Sequence, residues 1–427
     1  MSLPEALRYL SSLSRFGMRF GLERIERLLE ALEHPERAYR VLHVAGTNGK
    51  GSTCAFAASV LEQAGLRVGL YTSPHLVRFH ERIRVAGAEI CDEALVEGVE
   101  ALKVAAARAK LGDEPLTFFE ATTALALRHF AREKVEVVVL ETGLGGRLDA
   151  TNAVGSQVCA ITRIGLDHTA LLGSTLGAVA AEKAGIIKAG CQPVFARQAP
   201  EALSVLERRA GEIAASARVA GRDFGLEGAG PFSFFSAGLR VENLELPLPG
   251  PHQLENAESA IEAARLLVPG IAPEAVRQGL RRTRWPGRFE RAAEGPLTVL
   301  DGAHNPDGAA ALARAVRALF PRARVHLVFG VLADKDVEGI ARLLMPLAAR
   351  VYVASPANER ALAVDELEGL ARRFGPGAKA YATVAEALRS ARAEARAAGE
   401  GAMVLVAGSL CVVGEAAAAL SGAQQVG

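Results

Sequence analysis

The stretch VLHVAGTNGKGSTCAFAASVLEQAGLRVGLYTS, Val41 to Ser73, decides the fold. VLHVAG is a short apolar run, and GTNGKGS (Gly46 to Ser52) is a glycine-rich turn. TCAFAASVLEQAG has helical spacing and closes on Gly65, and RVGLYTS is a second strand. Two strands joined by a helix form a parallel βαβ unit, since parallel strands need a crossover of this length. Glycines between a strand and a helix let successive backbone N–H groups face an anion, and the helix N-terminus adds its positive end. Gly46, Thr47, Asn48, Gly49, Lys50, Gly51 and Ser52 are therefore read as a phosphate-binding turn. The sequence departs from a strict Walker A motif, because Gly51 rather than Ser or Thr follows Lys50. Ser52 and Thr53 are the nearby hydroxyls. The plainer alternative, glycines that merely tighten a turn, does not account for a lysine set between two of them.

The alternation continues outward. TFFEATTALALRHFAREK (117–134) reads as helix, VEVVVLETG (135–143) and VCAITRIG (158–165) as buried strands, and STLGAVAAEKAG (174–185) as helix. Strands apolar on both faces and separated by helices predict a parallel sheet covered on both sides. FSFFSAGLRVENLEL (232–246) alternates instead, as an antiparallel flap does, and helices are expected over about 254–267 and 274–281. RRTRWPGRFERAAEGP (281–296) reads as a linker. LTVLDGAHNP, RVHLVFG, VYVASP and MVLVAGS then supply the strands of a smaller doubly wound domain. The fold expected is α/β: a large P-loop-type parallel-sheet ATPase domain over 1–285, and a smaller Rossmann-like C-terminal domain over 286–427.

Composition excludes several function classes. With 49 basic and 48 acidic residues, net charge +1, no global field draws the chain to nucleic acid or a membrane surface. No apolar run approaches the roughly 18 residues of a spanning helix, and the first residues lack a signal-peptide layout, so a cytoplasmic location is expected. Five scattered cysteines with no CxxC pair argue against a disulfide framework or a zinc site.

Phosphoryl transfer requires a divalent metal to offset charge on the β- and γ-oxygens. Its ligands must come from strand ends near the turn, where Ser73, Glu141 and His168 stand. Each has a plainer role as a turn former, a capping or paired acid, or a loop histidine. An acid directly after four apolar residues calls for a partner.

The segments AGTNGKGST, YTSPHLVRFHERI, TFFEATTALAL, LETGLGGRLDATN, GLDHTALLG, EKAGIIK, PGPHQLENA, WPGRFE, LDGAHNP, ADKD and AGSLCVVGE together resemble the folylpolyglutamate synthase and dihydrofolate synthase family of the Mur ligase superfamily. The likeness runs from about residue 21 to 415. LETGLGGRLDATN and YTSPHL are particular to the folate branch, whereas the phosphate turn is common to all Mur-type ligases.

The resemblance implies an ATP site between the domains. Asn256, Arg288 and Asp301 would join the turn as nucleotide contacts, and Mg²⁺ would lie on Ser73, Glu141 and His168. It further implies a carbamylated Lys183, which the residues alone would make a solvated helix lysine. The pteroate or folate acceptor would meet Met18, Arg19, Phe20, Thr117, Phe118, Phe119, Glu120, Leu148, Asp149 and Ala150. Glutamate would meet His304 and Ser409. Lys50, Lys183 and His304 would be the catalytic groups, and Cys411 departs from the aromatic residue common at its position.

The activity implied is ATP-dependent ligation of L-glutamate to dihydropteroate, to the glutamyl chain of reduced folates, or to both, through an acyl phosphate, with the smaller domain closing over ATP. A monomer with no nucleic-acid or membrane partner is expected. A monofunctional folylpolyglutamate synthase is one alternative, and a non-catalytic ATP-gated binding protein is another of a different class. A cell-wall Mur ligase would need more than the 45 residues preceding Gly46, and a P-loop kinase or GTPase would want the GK[ST] ending.

Overall fold

The apolar run ahead of the glycine turn is β1 (Arg40–Ala45), a central strand of an eight-stranded sheet in a computed structural model that describes residues 1–422 apart from 18, 110 and 112–114. The other strands are β2 (Val68–Tyr71), β3 (Ile83–Val85), β4 (Ala88–Glu89), β5 (Val137–Glu141), β6 (Val158–Ile161), β7 (Gln192–Phe195) and β8 (Arg218–Val219). Their order is β4-β3-β2-β5-β1-β6-β7-β8. From β2 to β8 every pairing is parallel, and β3 and β4 extend one edge antiparallel. β5 and β6 are buried along their whole length, as strands covered on both faces must be.

The helix after the turn is Lys50–Gln63, three residues longer at its start than the sequence suggests, because Gly49 takes φ 89° and lets the chain enter the helix at once. Nine of its residues are buried, so it runs through the core rather than over it. Helix Pro273–Arg282 packs on it so closely that a Cβ at Gly279 would lie 2.5 Å from Val60 Cα, and Ser59 Oγ donates to the Gly279 carbonyl at 2.7 Å.

The alternating segment forms a three-stranded antiparallel sheet of β9 (Phe224–Glu227), β10 (Phe232–Ser236) and β11 (Leu239–Leu244), with β10 central. The following helix is Pro251–Leu267. Its fully buried Glu262 accepts from Arg218 Nε at 3.0 Å and Arg265 Nη2 at 2.7 Å, tying the helix to β8.

A second sheet holds β12 (Glu290–Ala293), β13 (Leu297–Leu300), β14 (Arg324–Phe329), β15 (Ala348–Val353), β16 (Ala378–Ala380) and β17 (Ala402–Ala407), in the order β12-β13-β17-β14-β15-β16. All pairings are parallel except β12 with β13. The linker reading of 281–296 is thereby corrected. Gly295 and Pro296 make a hairpin turn, so Glu290–Ala293 folds back as an edge strand instead of spanning free.

The chain divides into two compact units. The first comprises Met1–His75, Phe79–Pro247 and Leu254–Thr283, and the second Leu76–Arg78, Leu248–Gln253 and the chain from Arg284. No described helix is long and apolar enough to cross a membrane. All five cysteines are free thiols, three of them buried.

Candidate nucleotide and ligase site

The phosphate turn is fastened to the loop after β6. A Cβ at Gly46 would overlap the Thr162 hydroxyl, and that hydroxyl donates to the Asn48 carbonyl at 2.8 Å. Thr47 donates its N–H to the Arg163 carbonyl at 3.1 Å and its Oγ1 to the Gly165 carbonyl at 2.9 Å. A Cβ at Gly49 would overlap Asn256 Oδ1, so the asparagine amide lies directly on the turn. Lys50 curls back over the turn, donating to the carbonyls of Gly46 (3.2 Å) and Thr47 (3.3 Å). The fourteen-residue helix that starts there directs its N-terminal amides toward the same place.

The three metal candidates stand at the carboxyl ends of neighbouring strands. Registers Val44↔Glu141, Tyr71↔Leu140 and Ala45↔Ile161 align the ends of β2, β5, β1 and β6, with about 4.8 Å between adjacent strands. Glu141, buried, ends β5 and accepts the Ser73 N–H at 3.0 Å. His168 adopts φ 51° at the start of a short helix, its N–H donating to Asp167 Oδ1 at 2.8 Å. Among the described residues no three His, Cys, Asp or Glu side chains form a metal-holding group by themselves. The candidate set is thus a hydroxyl, a carboxylate and an imidazole, a mixed oxygen and nitrogen donor set that suits a hard divalent ion keeping part of its water.

Lys183 is the clearest correction to residue-level reading. It lies on the inner face of helix Leu176–Ala184, 3% exposed, with Nζ donating to the Gly46 carbonyl at 2.8 Å. Burial lowers its pKa to about 7, aided by the charge of Lys50 and opposed by Asp167 and Asp149.

Among the acceptor-side residues, Met18 lies outside the described residues. Phe20 is 54% exposed, and the Arg19 carbonyl accepts from Arg24 Nη2 at 3.3 Å. Thr117 and Glu120 form a capping box on helix Phe118–Arg132, and Glu120 also accepts from Arg24 Nε at 3.0 Å. Phe118 meets Phe79 edge-on at 6.3 Å, and Phe119 packs against Tyr71 at 6.1 Å. Asp149, between Leu148 and Ala150, organises its own loop. It accepts from the N–H groups of Gly143, Leu144 and Thr151, while burial pushes its carboxyl above the ordinary range.

In the second unit, Asp301 accepts the N–H groups of Phe289 and Ala303, both at 2.9 Å. Burial raises its pKa, with Arg288 and His252 pulling the other way. His304 Nδ1 lies 2.8 Å from the Gly302 carbonyl. Ser409 caps helix Leu410–Ser421 through Oγ.

The family described as Mur ligase, middle domain matches residues 44–264, and Mur ligase, glutamate ligase domain matches 287–410. The dihydrofolate synthase/folylpolyglutamate synthase of Bacillus subtilis is 41% identical over 355 residues, covering 80% of this chain and 82% of that protein. The chain belongs to the dihydrofolate synthase/folylpolyglutamate synthase family of Mur ligases. A Haloferax volcanii relative, named probable bifunctional folylpolyglutamate synthase/dihydropteroate synthase, is 39% identical over 97% of this chain, which spans 50% of that relative's length. The solved Yersinia pestis bifunctional folylpolyglutamate synthase/dihydrofolate synthase, complexed with AMPPNP and Mn ion, superposes with a TM-score of 0.88. It is 34% identical, with 99% of this chain and 98% of that one covered.

The structure sets further polar residues against those that motif reading finds. Thr162 and Asp167 sit in the segment after β6 where no motif gives them a role, although Thr162, a polar residue directly after an apolar strand, carries the same kind of signal that marks Glu141. His252 lies near enough to Asp301 and Arg288 to feel both charges, and burial lowers its pKa. Only the fold brings His252 to Asp301 and Arg288.

Proposed function

We propose that the chain is an ATP-dependent ligase that joins L-glutamate to dihydropteroate, to the glutamyl chain of a reduced folate, or to both. The observation that carries this reading is the convergence of Lys50 and Lys183 on the Gly46 carbonyl, in a phosphate turn bordered by Glu141 and Ser73. A carboxylate is inert toward an amine because oxide is a poor leaving group. Its attack on the γ-phosphorus of ATP releases ADP and forms an acyl phosphate. The glutamate amine then adds to the acyl carbon and expels inorganic phosphate.

The turn amides and Lys50 supply fixed positive charge to the transferring phosphoryl group, and helix Lys50–Gln63 holds that charge in place before the reaction. Ser73, Glu141 and His168 would hold Mg²⁺, which when bound neutralises charge on the β- and γ-oxygens. Lys183, carbamylated, would place an anion beside that set. We assign Asn256, Arg288 and Asp301 to the nucleotide, and Arg19, Phe20, Thr117 to Glu120 and Leu148 to Ala150 to the acceptor. His304 and Ser409 are assigned to glutamate. A cytoplasmic monomer completes the reading.

ADP release measured with 7,8-dihydropteroate and with tetrahydrofolate, each with and without L-glutamate, tests it. Release that requires both glutamate and an acceptor is expected, and the acceptor that works separates the two activities. Nucleotide binding with no release that depends on either would return the chain to the nucleotide-gated binding class.

A further inference from the structure

Arg82 ends the turn Phe79–Arg82 and is only 7% exposed. A guanidinium so buried is costly unless a carboxylate or several acceptors balance it. Among the described residues it enters no ion pair, and its one side-chain hydrogen bond runs from Nε to His75 Nδ1 at 2.8 Å. The two terminal nitrogens find no acceptor, yet neither is sealed from solvent. Two aromatic rings flank the group, its Cζ lying 5.2 Å from the Phe118 ring centroid and 5.9 Å from that of Phe79. Its main-chain carbonyl accepts the Thr72 N–H at 3.0 Å, which pins the base of the side chain beside Ser73. Glu141 is close enough to act on its charge without pairing with it. The fork is thus rigid, cationic and open at its outer edge.

We infer that Arg82 is the anchor for the acceptor's carboxylate, binding it through its two terminal nitrogens between the Phe118 ring and the Ser73–Glu141 strand ends. The inference rests on the ligase reading above and adds a residue to it. A planar fork presented edge-on matches a carboxylate in two parallel hydrogen bonds, and the Phe118 ring meets the cation near Cζ, not through its terminal nitrogens. Anchoring there would place the nucleophilic oxygen on the side of the sheet where the phosphate turn opens. A phosphate oxygen of ATP is the competing anion, and the test separates the two.

Equilibrium binding of dihydropteroate and of its carboxamide, in which the anionic group alone is neutralised, is measured on the wild-type protein and on Arg82→Gln and Arg82→Lys, alongside ATP affinity. The wild type is expected to prefer the carboxylate by roughly ten- to hundredfold, as charge-assisted pairs do. Arg82→Gln should erase that preference with ATP affinity unchanged, raise KM for the acceptor and leave KM for ATP alone. Arg82→Lys should recover part of it. Equal affinity of the wild type for the two ligands overturns the inference, whether or not the variants fold. So does a loss in Arg82→Gln that falls on ATP. If the wild type shows no glutamate- and acceptor-dependent ADP release, the ligase reading itself fails and takes this inference with it. Wild-type release with no carboxylate preference removes Arg82's role alone.

Discussion

Lys183 Nζ donates to the main-chain carbonyl of Gly46 at 2.8 Å, joining a helix 137 residues downstream to the first residue of the phosphate turn. Lys50 donates to the same carbonyl at 3.2 Å. Burial, and after it the charge of Lys50 on the same oxygen, loosens the proton of Lys183, to a pKa of about 7. A lysine with a lowered pKa presents a neutral amine once pH passes that value, and only the neutral amine attacks carbon dioxide. In bicarbonate buffer above pH about 7, Lys183 should therefore gain one carboxyl group, seen by mass spectrometry of the native protein. Lys183→Ala should lose activity and regain part of it with added short carboxylic acids. Full activity with Lys183 demonstrably unmodified would refute the carbamate.

Lys50→Ala should separate catalysis from folding. Lysine and alanine both favour helix, and the substitution removes only two long hydrogen bonds to carbonyls of the same turn, so stability should change by less than about 1 kcal/mol. Removing a preorganised cation from phosphoryl transfer should lower kcat by roughly 10²–10³-fold. Circular dichroism with ADP-release kinetics checks both halves. Wild-type turnover in this variant would dismiss the phosphate-turn assignment.

The balance between what is legible in the sequence and what is not has a physical origin. Gly46, Gly49 and Lys50 can be read because a turn, a close approach and a charge each restrict residue type locally. Glu141 stands out because an acid at the end of four apolar residues needs a reason. Lys183 cannot be read. Its helix LGAVAAEKA is mostly small residues with little face contrast, so nothing marks which side turns inward. Arg82 and His75 are equally silent, since their relation depends on a turn folding Phe79–Arg82 back against the end of β2. The linker reading of 281–296 fails for a related cause. Gly and Pro mark a chain reversal, and only the pairing partner decides whether the reversal is a hairpin or a tether.

Gly49→Ala tests the turn by shape instead of charge. Gly49 has φ 89°, a conformation that costs an L-residue about 1–2 kcal/mol, and its new methyl group would displace the Asn256 amide. A drop in stability of that size should appear in denaturant unfolding, accompanied by a larger loss of ATP affinity. Unchanged nucleotide binding in a destabilised protein would show that Asn256 packs on the turn without serving the ligand.

Glu262 yields a prediction about pH in which the sign can be followed through. Burial pushes its carboxyl up, but hydrogen bonds from Arg265, Ser236 and Arg218 outweigh burial, and the folded pKa falls below its ordinary 4.5. Between the folded value and 4.5 the unfolded chain therefore binds more protons, so stability rises with pH through that window. The contribution is complete above 4.5 and is lost as pH falls through the lowered folded value. Glu262→Gln leaves Arg218 and Arg265 facing a neutral amide that accepts only on one side. At neutral pH the substitution should cost about 3 kcal/mol, as breaking a buried pair does. Urea unfolding from neutral pH down through the acid range should show the wild type converging on the variant as acid removes the carboxylate. Parallel curves would mean that Glu262 stays charged in the folded protein throughout, or that the cluster contributes through packing alone.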